Sequence, residues 1–245
     1  MPPPLLDCHL HYAPDWKLEE WHEAGVTGGI VASVTRDDWQ TVLNCCGERR
    51  DLLLPALGIH PWQAAQADAE ALNELNALLD ANPRALLGEI GLDYVYGDAA
   101  PHSVQEDAFL AQAEMAIRLK RPAVLHLRGN WERVLTILNQ CRELTGIVHC
   151  FSGSADVAGR IIRNTRLNIS FGPALLRPNA RRIRESAAAV PLDRIFTDSD
   201  YPWQKADPTI CADIVTSIAA AKNIPPEECA AALHDNWKRL LGCMT

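Results

Sequence analysis

Eight short apolar runs recur along this 245-residue chain, with helix-like stretches between them. The runs are Leu5–His11, Gly28–Val34, Leu53–His60, Ala85–Asp93, Pro122–Arg128, Gly146–Phe151, Leu167–Phe171 and Arg194–Asp200. A continuous apolar strand flanked by helices belongs to a parallel sheet covered by those helices. The runs follow one another at the spacing of one βα unit. Eight such units predict a closed (β/α)8 TIM barrel, an α/β fold, instead of an open doubly wound sheet. No GxGxxG follows the first run, which also counts against a dinucleotide-binding fold.

The intervening segments carry the helical period. Leu72, Leu75, Leu78 and Leu79 mark one helix over Ala67–Ala81. Val104–Leu119, Trp131–Leu144 and Ala155–Asn164 read the same way. The last, Pro226–Leu241, opens with Pro226, Glu227 and Glu228 and stops at Gly242, matching the rules for helix ends.

The length suits one barrel, so residues 1–245 are expected to form a single domain. A net charge of −8 provides no basic field for nucleic acid or an anionic membrane. A polyanionic substrate would therefore need local Arg and Lys residues and bound cations. The eight cysteines, at positions 8, 45, 46, 141, 150, 211, 229 and 243, show no CxxC spacing. They are expected to be reduced and mostly buried. With no N-terminal signal and no long apolar stretch, a cytoplasmic protein is expected, without a membrane partner, as a monomer or small homo-oligomer.

Histidines and carboxylates collect where these strands should stop. In Asp7-Cys8-His9-Leu10-His11, alternation points His9 and His11 together into the barrel mouth, with Asp7 a layer below. Two imidazoles on one face suit a divalent transition metal. Glu89 and Asp93 share a face of Gly88-Glu89-Ile90-Gly91-Leu92-Asp93. Glu89 can bridge two metals, and Asp93 can fix the tautomer of a ligand histidine. His126 suits the second metal, and Arg128 on the same face can pair with a phosphate. Alternation places His149 inside and Cys150 against the helices. Asp198 and Asp200 face inward, Asp200 nearer the mouth as metal ligand and proton acceptor, Asp198 deeper. His60 ends the third strand, where it can orient an oxyanion or protonate a leaving group. Trp62 and Trp203 directly follow motif strands and can stack on a base. His22, His102 and His234 fall outside the strand ends and receive no role.

Taken in order, DCHLH, GIHPW, GEIGLDY, QEDAF (Gln105–Phe109), VLHLR, VHCFSGS, DSDYP and HDNWKRLLG (His234–Gly242) resemble the TatD family of metal-dependent hydrolases along nearly the whole chain. The resemblance implies a TIM barrel and a centre of two divalent ions, with Zn, Mn, Mg, Fe and Ni all compatible. It implies that His9, His11, Glu89 and Asp200 hold one ion, and Glu89, His126 and His149 the other. Two motifs depart from the family. Asp198-Ser199-Asp200-Tyr201-Pro202 stands where Glu-Thr-Asp-Ala-Pro is usual, and Trp62 replaces a frequent second histidine. The bulk of Tyr201 and Trp203 is expected to narrow the mouth.

The expected function is hydrolysis of phosphodiester bonds in nucleic acid by a metal-activated water, as in a TatD-like deoxyribonuclease acting from an end, with DNA as the first substrate and RNA as a second. Glu89, Asp200 and His60 are the expected catalytic groups, and His60, Arg128, Trp62 and Trp203 the substrate contacts. Two alternatives remain open. One is hydrolysis of a small amide, ester or lactone. The other is a subunit that keeps the metal site within a larger assembly.

Overall fold

A computed structural model describes residues 3–204 and 206–242. Eight parallel strands run in the order β1-β2-β3-β4-β5-β6-β7-β8. They are β1 Leu5–Leu10, β2 Val26–Ala32, β3 Leu53–Leu57, β4 Leu86–Asp93, β5 Ala123–Arg128, β6 Thr145–Val148, β7 Arg166–Phe171 and β8 Ile195–Thr197. The ring closes just beyond β8. The Asp200 N–H donates to the His9 carbonyl (3.1 Å), and the His11 N–H donates to the Tyr201 carbonyl (2.7 Å). This is the expected (β/α)8 barrel, and its closure draws the last motif against the first.

The helices are α1 Leu18–Glu23, α2 Trp39–Glu48, α3 Ala69–Ala81, α4 His102–Leu119, α5 Trp131–Leu138, α6 Ala155–Asn164, α7 Arg181–Ala189, α8 Cys211–Lys222 and α9 Pro226–Gly242. Asp68 caps α3 by accepting from the Ala71 N–H, and Ser154 caps α6 by accepting from Val157. Helices α1, α2, α7 and α8 were not predicted. Helix α2 carries Thr41, Val42, Cys45, Cys46 and Gly47, all weak helix formers, and α8 holds the strand-like run Ile214-Val215-Thr216. Helix α5 stops at Leu138, short of the predicted Leu144, where the chain turns through Asn139 and Gln140. No helix among the described residues is long and apolar enough to cross a membrane.

The apolar core has two parts. Leu10, Val31, Leu57, Leu87, Leu125, Val148 and Ile169 face the helices. Cys8, Ile30, Leu54, Leu86, Val124, Ile147 and Phe196 fill the barrel, joined by Trp237 and Leu240 of α9. The Phe196 and Trp237 rings lie 5.9 Å apart. The interior is thus packed beneath the strand ends, leaving the polar layer at the mouth as the place for chemistry.

Candidate metal centre

Glu89 lies at the centre of the mouth, 2% exposed, with histidine nitrogens against both of its oxygens. Oε2 is 3.3 Å from His9 Nε2 and 3.4 Å from His11 Nε2. Oε1 is 2.7 Å from His149 Nε2, 3.0 Å from His126 Nδ1 and 3.4 Å from His60 Nε2. Asp200 Oδ1 closes the first group, at 3.6 Å from His9 Nε2 and 3.8 Å from His11 Nε2. All six residues expected to hold metal therefore meet at one point, contributed by β1, β4, β5 and the loops after β1, β6 and β8.

The strands reach this point by departing from regular alternation. A register shift between Asp7 and Leu10 of β1 turns Asp7 outward beside Leu10, Leu18 and Trp21. Cys8 instead faces the barrel interior, so Asp7 is not the inward layer below His9. Asp7 Oδ1 accepts from the His9 and Ser199 N–H groups and ties β1 to the segment after β8. Burial pushes its carboxyl up to about 7. On β4, a shift between Leu87 and Ile90 brings Glu89 inward with Gly91 and Asp93. A Cβ on Gly91 would lie 1.8 Å from the His126 carbonyl oxygen, so only glycine lets β4 approach β5 here.

Cys150 overturns a second expectation from alternation. β6 ends at Val148, and Cys150 takes a left-handed φ of 44°. Its thiol turns inward and donates to Asp198 Oδ1 (2.8 Å) instead of packing against the helices. Burial and the nearby Asp198 push the thiol pKa well up, so it stays a protonated donor. Asp198 is fully buried, held also by the Cys150 N–H (3.0 Å) and the Ser170 hydroxyl. Asp198 thus lies deeper than Asp200, as alternation predicts.

Hydrogen bonds fix which nitrogen each imidazole presents. His11 Nδ1 donates to the Ala32 carbonyl (2.9 Å), leaving Nε2 to face Glu89 and Asp200. His126 Nε2 meets Asp93 Oδ2 at 3.1 Å, and Nδ1 faces Glu89. Asp93 Oδ2 also accepts from Trp62 Nε1 (2.9 Å), and Oδ1 accepts from the Val95 and Tyr96 N–H groups. Its own N–H donates to Gln105, a residue of the QEDAF stretch. His60 differs. Its Nδ1 accepts from the Trp62 N–H (3.2 Å), so the neutral ring carries its proton on Nε2.

The charges form one coupled set. Burial pushes the Glu89 carboxyl up, but His9, His149 and His60 outweigh it and hold Glu89 well below the usual range. Burial likewise opposes ionisation of Asp200, which the nearby His9 (3.6 Å) and His149 rings bring down to about 2. His126 rises to about 9 because Asp93 and Glu89 outweigh its burial. Glu89 and Asp200 similarly overcome burial at His9 and raise it well above its ordinary value. Burial lowers His60 and His149.

These donors fit divalent metal. The fully buried His9 has no hydrogen bond at either ring nitrogen, and His149 Nδ1 is equally unpartnered. Such orphaned nitrogens are costly unless another partner takes them. Ligand atoms of His9, His11 and Glu89 gather within 4.8 Å of one another, as do those of His9, His149 and Asp200 and those of His60, Glu89 and His126. A buried cluster of this composition, divided across one carboxylate, is consistent with a binuclear metal site.

The remaining expected residues ring the mouth. Arg128 has a half-exposed side chain and a loose pairing with Asp93 (3.8 Å). Trp62 stacks on Tyr96 with centroids 4.2 Å apart, a contact the sequence reading did not identify. Trp203 lies edge-on to His11 at 6.2 Å and is 61% exposed. Tyr201 turns aside to Trp21 and Asp15, so Trp203 rather than Tyr201 borders the mouth.

A family model described as TatD related DNase matches residues 6–242. The chain is 30% identical to the uncharacterized metal-dependent hydrolase YabD of Bacillus subtilis, over 96% of this chain and 98% of that one. It is 26% identical to a protein of Erwinia amylovora named 3'-5' ssDNA/RNA exonuclease TatD, over 93% of each chain. Among solved structures, the TatD homolog YjjV from Escherichia coli K12 superposes with a TM-score of 0.88 at 26% identity, covering 96% of this chain and 97% of that one.

Proposed function

Because the chain belongs to the TatD family of metal-dependent hydrolases, we propose that it is a single-domain, cytoplasmic exonuclease that removes nucleotides from the 3' end of single-stranded DNA or RNA. The observation that carries this reading is the division of Glu89. One oxygen faces His9 and His11, and the other faces His126 and His149. A carboxylate so placed can join two cations into the clamp that phosphodiester displacement needs.

His9, His11, Glu89 and Asp200 would hold one ion, and Glu89, His126 and His149 the other. Zn, Mn, Fe or Ni suit this ligand set, and Mg suits its carboxylates. Bound there, the ions would supply Lewis acidity at the phosphate and acidify the attacking water. The protein's own groups do the rest. Asp200 is ionised at neutral pH, so it can take the proton of the water. His60 is neutral, with its proton on Nε2, the nitrogen turned to Glu89. From there it can donate that proton to a phosphate oxygen. Arg128 reaches the phosphate from the rim through its fork of N–H donors. Trp62 and Trp203 border the approach and receive bases.

The test is cleavage of end-labelled single-stranded DNA and RNA with added Mn²⁺, Mg²⁺ or Zn²⁺, beside a panel of small esters and lactones. Shortening from the 3' end, lost in Glu89→Ala and Asp200→Ala proteins that remain folded, is the expected result. Turnover of the esters with no cleavage of any oligonucleotide would contradict the reading.

A further inference from the structure

Among the described residues, the large apolar side chains left exposed are Tyr12, Val95, Tyr96 and Trp203. All four lie in loops that follow strand ends, so apolar exposure is concentrated around the mouth. Exposed aromatic surface gathered at one site marks a place of binding.

The two sides of the mouth are not equivalent. Trp62 has one face against Tyr96 and its Nε1 committed to Asp93. Trp203, on the His11 side, borders a cavity of about 310 Å³. That volume falls within the range of small-molecule sites, about 300–1,000 Å³. Tyr12, Val34, Thr41 and Val42 line its walls, and the His11 ring separates it from the metal centre. His11 Nε2 faces Glu89 and Asp200 while its ring borders the cavity, so the two sites share one side chain. Asp38 stiffens the wall by accepting from the Val34 and Thr35 N–H groups.

We propose that this cavity seats one nucleobase of a single-stranded nucleic acid, stacked against Trp203, so that the adjoining phosphodiester lies over Glu89. The assignment rests on the nuclease reading above and adds where the base goes. A flat ring of base size with polar edges matches apolar walls interrupted by Thr41 and Asp38. A base can enter only when unpaired, which makes the seat selective for single strands. Stacking also suits a chain of net charge −8, which has little general attraction for phosphates.

The experiment compares oligodeoxynucleotides whose 3'-terminal residues carry bases with matched oligonucleotides in which those residues are abasic. The metal-loaded protein is assayed for KM and kcat, and binding is read independently by fluorescence anisotropy. Base–aromatic stacking predicts a KM and a dissociation constant on the order of 5- to 100-fold lower for the base-bearing strand. Trp203→Ala should shrink that ratio toward one. Thr41→Phe, which fills the cavity from an exposed position on α2, should do the same without touching Trp203. A wild-type protein that cleaves both strands equally overturns the proposal and leaves the nuclease reading standing. So does an undiminished ratio in both variants. Failure of the wild-type protein to cleave any oligonucleotide overturns both.

Discussion

Asp93 Oδ2 stands 3.1 Å from His126 Nε2, on the opposite side of the ring from Glu89. The carboxylate orients the imidazole and raises the electron density it offers on the other nitrogen. Groups behind a ligand histidine typically govern about 10- to 100-fold in metal affinity. Asp93→Asn is therefore expected to weaken uptake at one of two sites by that factor, read by competition with a chelator of known affinity. Equal affinities in the two proteins would remove Asp93 from the metal centre.

Metal uptake should release protons. In the metal-free centre, His126 titrates at about 9 and His9 is raised well above its ordinary value, so both carry a proton at neutral pH. An imidazole must be neutral to donate its lone pair to a metal. Affinity should thus increase as pH rises from 6 toward 9, by up to about tenfold per unit for each proton displaced. Calorimetry in buffers of different ionisation enthalpy measures the protons directly. An affinity independent of pH would contradict protonated ligands.

The approach of β4 to β5 makes Gly91 the most sensitive backbone position near the site. A methyl group there would collide with the His126 carbonyl at 1.8 Å, whereas at Gly97 it would meet nothing within 4 Å. Gly91→Ala should lower unfolding free energy by more than about 3 kcal/mol, against less than about 0.5 kcal/mol for Gly97→Ala. Thermal or urea denaturation distinguishes them, and equal effects would contradict the close packing.

Much of this centre was legible because β-strands alternate. His9 with His11, His126 with Arg128 and Glu89 with Asp93 read as pairs facing one side, and the structure brings them to the mouth. The reading failed where the backbone leaves that rhythm. A register shift in β1 turns Asp7 outward, and the left-handed φ of Cys150 turns its thiol to Asp198. Neither departure has a local signature, since no glycine marks the turn at either residue. Helices α2 and α8 were missed because weak helix formers occupy them and tertiary packing decides their form. The distinct state of His60 was also hidden, because the donor that sets its tautomer is the Trp62 N–H, a consequence of how the loop after β3 folds.

A shared carboxylate is tested most directly by counting metal ions. Wild-type protein and Glu89→Gln, a change of nearly equal volume, are purified, saturated with Zn²⁺ or Mn²⁺, freed of excess ion and analysed by mass spectrometry, with circular dichroism to confirm the fold. If Glu89 joins the two groups of histidines, the wild-type protein binds two ions per chain and Glu89→Gln retains at most one. Two tightly held ions in the folded variant would contradict the bridging role of Glu89.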